Sequence, residues 1–456
     1  MSCNKEHVLA HHRSASSEVH QDEKGSHPSR TSKLDPPDGG YGWWICGACT
    51  LICMMTWGVN ASYAVYLAHY TAPGATYFKN ITTLQYTFVG GVSVGMALIV
   101  SPLATVICEL TGNIKIPMAI GLVMESLGYL CASFASEFWH LFLAQGILFG
   151  AGMGLLFSPS VQLPALWFSK KRALASGICA GGSGLGGVIF LLSTNASISS
   201  LGLAWTFRLT ALITFVCNTV AVCLLRELNP RASANMTFAQ RKEHVMSQVW
   251  DTKVFKIRGY AWMLAWGVFS LLGYVTIQFT IAKFVVSGLG QSQARGSQIA
   301  ALLSAGMAIG RPIVGWIADL GGRLNMAAVF TLCCSFSIFF IWMFAESYGV
   351  MVFFALLNGC IAGTFWSSVI PVSVEIVGIK NLGVASTGVW LLMSVPTIFA
   401  TTIALEIVGS SGDYKRLILY AGACYAIAAF LLLPAKFAKQ ERVLGREYKY
   451  KLWVKT

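Results

Sequence analysis

Charge is what this chain has least of. Asp, Glu, Lys and Arg together supply 11% of its 456 residues, against about 25% in typical soluble domains. A globule of this length cannot coat itself against water with so few, so a soluble enzyme is excluded. Acidic residues are the scarcer sign, 19 against 32 basic. The resulting +13 would suit a nucleic-acid binder. The positive residues fall in short segments between apolar stretches, however, and no nucleic-acid partner is expected. The first forty residues contain no apolar core of a cleavable signal. Cys46 and Cys49 have CxxC spacing, but no second pair and no nearby His accompanies them, so they read as packing thiols. The runs Gly150–Gly154 and Gly181–Gly187 lack the preceding strand of a nucleotide loop and read as close helix packing. No Ser/His/Asp, metal or nucleotide constellation stands out, so neither a cofactor nor a metal is expected.

What is present is apolar length. Twelve long stretches each approach the ~20 residues needed to cross a bilayer. Lipid offers backbone groups no hydrogen bonds, so such stretches must be helices. The spans are expected at about 43–67, 84–108, 116–134, 138–160, 173–193, 204–225, 259–284, 298–319, 326–345, 349–373, 383–408 and 416–435. The longest loop, 226–258, separates six spans from six and carries Arg226, Arg231, Arg241, Lys242, Lys253, Lys256 and Arg258. The expected fold is therefore an all-α membrane protein of twelve transmembrane helices in two six-helix halves, 43–225 and 259–435. Residues 1–42 form a polar tail expected to be disordered, in which His7, His11, His12, His20 and His27 are solvated rather than metal-bound. Residues 436–456 form a basic tail.

Lys and Arg also orient the chain. If both termini are cytosolic, that side holds Lys115, Lys170, Lys171, Arg172, the central loop, Arg323, Lys380 and the final tail. The outer loops hold only Lys79, Arg295, Lys415 and Arg416. The expectation is a multi-pass protein, by default of the plasma membrane. Asn80 and Asn195 head glycosylation sequons on the outer side. Asn60 lies within a span and Asn235 on the cytosolic side, so both should be bare.

Span eight ends with Gly310, Arg311, Pro312, Gly315, Asp319, Gly322 and Arg323. This pattern resembles the loop signature of the major facilitator superfamily, whose two halves enclose a site near the midplane. Asp38, Gly39, Gly40, Tyr41, Gly42 and Trp43 precede span one. That hexapeptide is similar to the signature of the monocarboxylate transporter family. The block from Trp167 through Lys170, Lys171 and Arg172 to Gly182 resembles the family's second pattern, opening span five. Around Trp57 to Tyr66 the likeness is to fungal members, one of them a riboflavin carrier.

The resemblance implies secondary transport of a small organic anion, a carboxylate, by alternating access, together with a proton. Gly310, Gly315, Asp319 and Arg323 would form a conformational latch. Arg311 would hold the carboxylate; the alternative is a pair with Asp319. Asn60 and Trp366 would also face substrate, although aromatics at helical spacing commonly serve packing. The family's proton-binding Lys and Asp correspond to Ala61 and Met307 here. Glu125, midway along span three, is the remaining proton candidate or else a carboxyl hydrogen-bonded within the bundle. Other readings are an exporter of a fungal secondary metabolite, a vitamin carrier of the riboflavin type, or a membrane sensor that moves nothing. An accessory membrane chain is left open.

Overall fold

An amide inside lipid must bond within its own segment, and the chain meets that demand by helix throughout the apolar stretches. The computed structural model describes residues 36–70, 81, 83–229, 236–237, 239–241, 245, 251–409 and 414–444. Among them, twelve helices are long and apolar enough to span a membrane. They are α1 (Gly42–Tyr70), α2 (Leu84–Thr111), α3 (Lys115–Ala132), α4 (Phe138–Trp167), α5 (Arg172–Leu201) and α6 (Leu203–Leu224). The second set is α7 (Tyr260–Gly288), α8 (Gln293–Gly321), α9 (Arg323–Phe344), α10 (Tyr348–Val377), α11 (Ile379–Val408) and α12 (Tyr414–Val443). The tail histidines, Asn80, Arg231, Lys242 and Asn235 lie outside the described residues. The face that carries Pro36 and the end of α12 is called the basic face below.

Most helices run past the ends given by the hydropathy reading, for one reason. Hydropathy marks the part of a helix that lipid covers, whereas backbone hydrogen bonding continues through polar residues. Thus α5 runs through Ser193, Thr194 and Asn195 to Leu201, and Gly202 alone turns the chain into α6, with φ of 80°. Asn195 is exposed but helical, not in a loop. The last helix continues past Ala435 to Leu444. Its extension buries Lys436, Lys439 and Gln440 against the second half instead of beginning a free tail.

Small residues set the contact between halves. In α5, a Cβ on Gly177 or Gly184 would strike the backbone of α8 at Arg311 or Ala308. Across the other seam, a Cβ on Gly91 or Gly95 of α2 would strike Ile398 of α11. Within the second half, Gly310 lies directly on the backbone of Cys360 in α10. Dispersion between backbones this close helps to hold helices together in lipid. Gly310→Val should therefore cost about 3 kcal/mol or more. A lowered unfolding midpoint in detergent is the expected result. Gly47→Ala, at an open lipid-side position, is the control and should leave the midpoint unchanged.

Candidate substrate cavity and the network on the basic face

A cavity of about 90 Å³ lies between the two halves. Its lining runs from mid-helix toward the face opposite the basic one: Cys53 to Ala64 on α1, Tyr274 to Phe279 on α7, and Ala300 to Arg311 on α8. At its base, aromatic rings meet across the seam. Trp57 of α1 and Trp366 of α10 sit with centroids 4.8 Å apart, and Phe157 of α4 lies 5.2 Å from Trp57. Trp390 of α11 stacks behind Trp366 at 6.3 Å. The helix geometry relaxes where these groups lie. A wide π turn in α1 spans Met54–Gly58, a feature frequent at functional sites.

Arg311 is the one charged side chain among the described residues that line the cavity. It is 3% exposed. Its Nη1 donates to the Ala180 carbonyl at 2.8 Å and to the Ser183 hydroxyl. Its Nη2 donates to the Tyr274 hydroxyl at 3.1 Å and faces the Met307 sulfur at 3.6 Å. Its Nε has no partner and packs on Gly363, where α10 breaks its regular turn and a Cβ would strike the guanidinium. Among the described residues, no carboxylate lies within ion-pair distance of it. Every partner is neutral. A buried charge is ordinarily paired, so this guanidinium is solvated but not neutralised.

Asp319 does not serve it. That carboxylate points to the basic face, where it accepts the backbone N–H groups of Ala173 and Leu174 at 3.1 and 2.9 Å. It thereby caps α5, a helix of the other half, with negative charge at the positive end of the dipole. Arg323 bonds Asp319 at 2.8 Å and donates to the Ser169 carbonyl, again across the seam. Glu375 of α10 lies 3.8 Å from Arg323 and 2.9 Å from Lys439 of α12. The α4–α5 turn is also held from its own half. Asp38 Oδ1 accepts the N–H groups of Ser169 and Lys170 at 2.7 and 2.8 Å.

The segment before α1 is built around that contact. Asp38 and Gly40 take left-handed φ values of 53° and 59°, a conformation Gly, Asn and Asp tolerate. Gly42 has Phe168 where a Cβ would go, and Trp43 packs on Phe168 at 4.8 Å with Lys171 Nζ 5.8 Å from its ring centre. Arg172 donates back to the Ala165 and Phe168 carbonyls, closing the turn. Gly315 gives α8 its approach to Ala173.

The remaining candidates fall in different places. Asn60 lines the cavity and donates to Ser93 of α2 at 2.7 Å. Ala61 and Met307 line it too, so the positions matched to the family's Lys and Asp face the cavity as apolar groups. Glu125 is fully buried beside α4 and α6, accepts Asn218 Nδ2 at 2.8 Å, and is not among the cavity-lining residues. The shares of Ser183 and Glu375 in these networks carry no local sequence signal.

Twelve spanning helices in two halves around a central cavity make this a multi-pass membrane transporter. The chain belongs to the Major Facilitator Superfamily, whose sequence profile matches residues 45–401. It is 31% identical over 447 residues to Probable transporter MCH2 of Saccharomyces cerevisiae, covering 96% of this chain and 92% of that one. It is 25% identical over 442 residues to Monocarboxylate transporter 12 of Rattus norvegicus, covering 90% and 89%. Among solved structures it resembles the transporter FucP in the outward conformation, with a TM-score of 0.63, 15% identity, and 86% and 98% coverage. Members of this family move small molecules across membranes; they are not enzymes.

Proposed function

We propose that this transporter carries a small organic anion with a carboxylate, held by Arg311 in the central cavity. The observation that carries this reading is a buried guanidinium facing the cavity with hydroxyls and a carbonyl around it and no acidic partner. A carboxylate entering there supplies the missing charge and can take the place of the neutral Ser183 and Tyr274 acceptors on the guanidinium. Positive-inside bias supports a cytosolic basic face. The Asp319 and Arg323 bonds bridge the seam at that face and the cavity lining extends toward the opposite one, which supports an outward-facing reading.

Size and polarity narrow the substrate. At roughly 30 Å³ per water in the liquid, ~90 Å³ takes about three waters, the room of a small acid of lactate size; a ring-bearing acid would need some widening. A flavin-sized molecule would need the cavity to widen. Trp57, Trp366 and Phe279 favour an acid with an apolar or ring-bearing body over a sugar acid.

The experiment is uptake of labelled lactate and labelled phenylacetate into proteoliposomes, corrected for protein-free vesicles. Unlabelled phenylacetate should compete, and phenylacetamide, neutral but of the same shape, should do so about 100-fold less well. Losing a buried charge pair by removing one partner costs ~3 kcal/mol or more, or about two decades in affinity. Equal competition by acid and amide would sink the reading.

A further inference from the structure

We infer that the surface formed by α3, α4 and α6, at the end of the bundle opposite the basic face, is a site for an anionic phospholipid, its phosphate on Arg208 and an acyl chain in a groove of the protein. The site lies apart from the central cavity. Arg208 stands in the second turn of α6, which begins at Leu203, ~7.5 Å from the helix end. Its guanidinium lies 4.9 Å from the ring centres of both Phe134 and Trp205, and its Nε donates to the Ser133 hydroxyl at 3.3 Å. Among the described residues its Nη1 and Nη2 have no acceptor, and no carboxylate lies within ion-pair distance. Phe134 also lines a groove at whose mouth His140 stands. His140 Nδ1 accepts the backbone N–H groups of Ser136 and Glu137 at 3.3 and 3.2 Å. The neutral ring therefore carries its proton on Nε2, where it has no partner among the described residues. The exposed rings of Trp139 and Trp205 mark this rim as the headgroup level.

The groove runs between α3 and α4 and has a volume of about 560 Å³. Below its mouth it is lined by Met124 and Cys131 of α3 and by Leu143, Ile147 and Ala151 of α4. A π turn over Phe142–Leu148 widens α4 along this stretch. From Trp139 to Ala151 is ~18 Å along a helix axis, and half of a hydrocarbon core is ~15 Å. The groove thus begins at the headgroups and ends near the midplane, the depth of one leaflet. Its volume is roughly 19 times the ~30 Å³ share of a water in the liquid, comparable to the heavy-atom count of a long acyl chain. A spanning helix of a partner protein would call for a groove that continued to the basic face. Any lipid supplies an acyl chain; Arg208 is what selects the headgroup. A cation held by neutral groups is completed by a phosphate, and a headgroup whose only charge is that phosphate brings no ammonium against it.

The test adds phosphatidylglycerol or phosphatidylcholine, each with a photoactivatable acyl chain, to the delipidated full chain in detergent, and maps the labelled residues by mass spectrometry. Phosphatidylglycerol should label the groove at Met124, Leu143 or Ile147 about tenfold more than phosphatidylcholine at equal concentration, the worth of a charge-assisted contact. Arg208→Gln should lower that labelling about tenfold, and Arg208→Lys should keep most of it. Labelling on the basic face should be the same in wild type and variants, which shows that the proteins are folded. Ile147→Trp fills the groove with Arg208 intact and should remove the labelling at Met124. Groove labelling that responds to neither headgroup nor Arg208→Gln would be ordinary lipid packing and would overturn the inference. Inorganic phosphate that protects the groove as well as unlabelled phosphatidylglycerol, mole for mole, would make this a site for a free anion and overturn it too. So would a single-span protein crosslinked along α3 and α4 in native membranes in place of the lipid.

Discussion

Arg311→Ala should abolish carboxylate uptake and leave the protein as stable as before, or more so. Both halves of that result follow from the same geometry. The side chain is 3% exposed and held only by neutral partners, so its charge is a burden on the folded state until an anion arrives. Removing a buried charge together with the need to solvate it is often neutral or stabilising. The bound anion, by contrast, loses its only cationic partner among the described lining residues. Uptake should fall by about 100-fold or more, corresponding to ~3 kcal/mol. Arg311→Lys should recover little, because an ammonium lacks the planar fork that matches a carboxylate. The accompanying measurement is the unfolding midpoint in detergent with and without phenylacetate. In the wild type, ligand at 100 times its dissociation constant adds about 2.7 kcal/mol and should raise the midpoint; in Arg311→Ala it should not. Uptake that survives the substitution would place the anion elsewhere. A protein that collapses without Arg311 would make the residue structural.

Much of this could be read from residue order, and the parts that could not share a cause. Twelve spans and a six-and-six division follow from apolar length, because lipid leaves the backbone one solution. Arg311 stands out for a similar reason: a cation beside Pro312 inside an apolar stretch is expensive, so its presence needs a use. Polar ends of helices are harder. Ser193 to Asn195 looks like loop and is helix, since hydropathy tracks lipid contact and not hydrogen bonding. Partners that are backbone amides are harder still. The i,i+4 spacing of Asp319 and Arg323 suggests their pairing, but nothing in the sequence says that Asp319 caps a helix 145 residues away. Asn218 beside Glu125 and Glu375 between Arg323 and Lys439 are likewise products of packing. The signature before α1 is legible as a pattern and acquires a physical reason only when Asp38 is seen holding the α4–α5 turn.

That turn carries the second large effect. Asp319→Asn should shift the protein toward the form open on the basic face. In the structure, the Asp319 carboxylate accepts two amides of α5 and the Arg323 guanidinium, so its charge serves both a helix dipole and an ion pair across the seam. Asparagine keeps the shape and one acceptor but loses the charge. Charge-assisted bonds are worth about 1.5–3 kcal/mol each, and a carboxylate at a helix N-terminus adds up to ~2 kcal/mol when partly buried. A net loss of ~2–3 kcal/mol shifts a two-state equilibrium by one to two decades. Arg323 keeps the Ser169 carbonyl across the seam at 2.8 Å and Glu375 within its own half at 3.8 Å, so one bridge remains where Asp319 had added two. Spin labels at Asn113 of the first half and Lys380 of the second, both exposed on the basic face, read the separation directly. The wild type should give a single short distance, and Asp319→Asn a second, longer one of comparable weight. Glu375→Gln breaks a contact within the second half and leaves the α5 cap in place, so it should keep the short distance. If both variants lengthen it alike, the ion pairs act as general glue at this face, and the specific grip of Asp319 on α5 is not what keeps the seam closed.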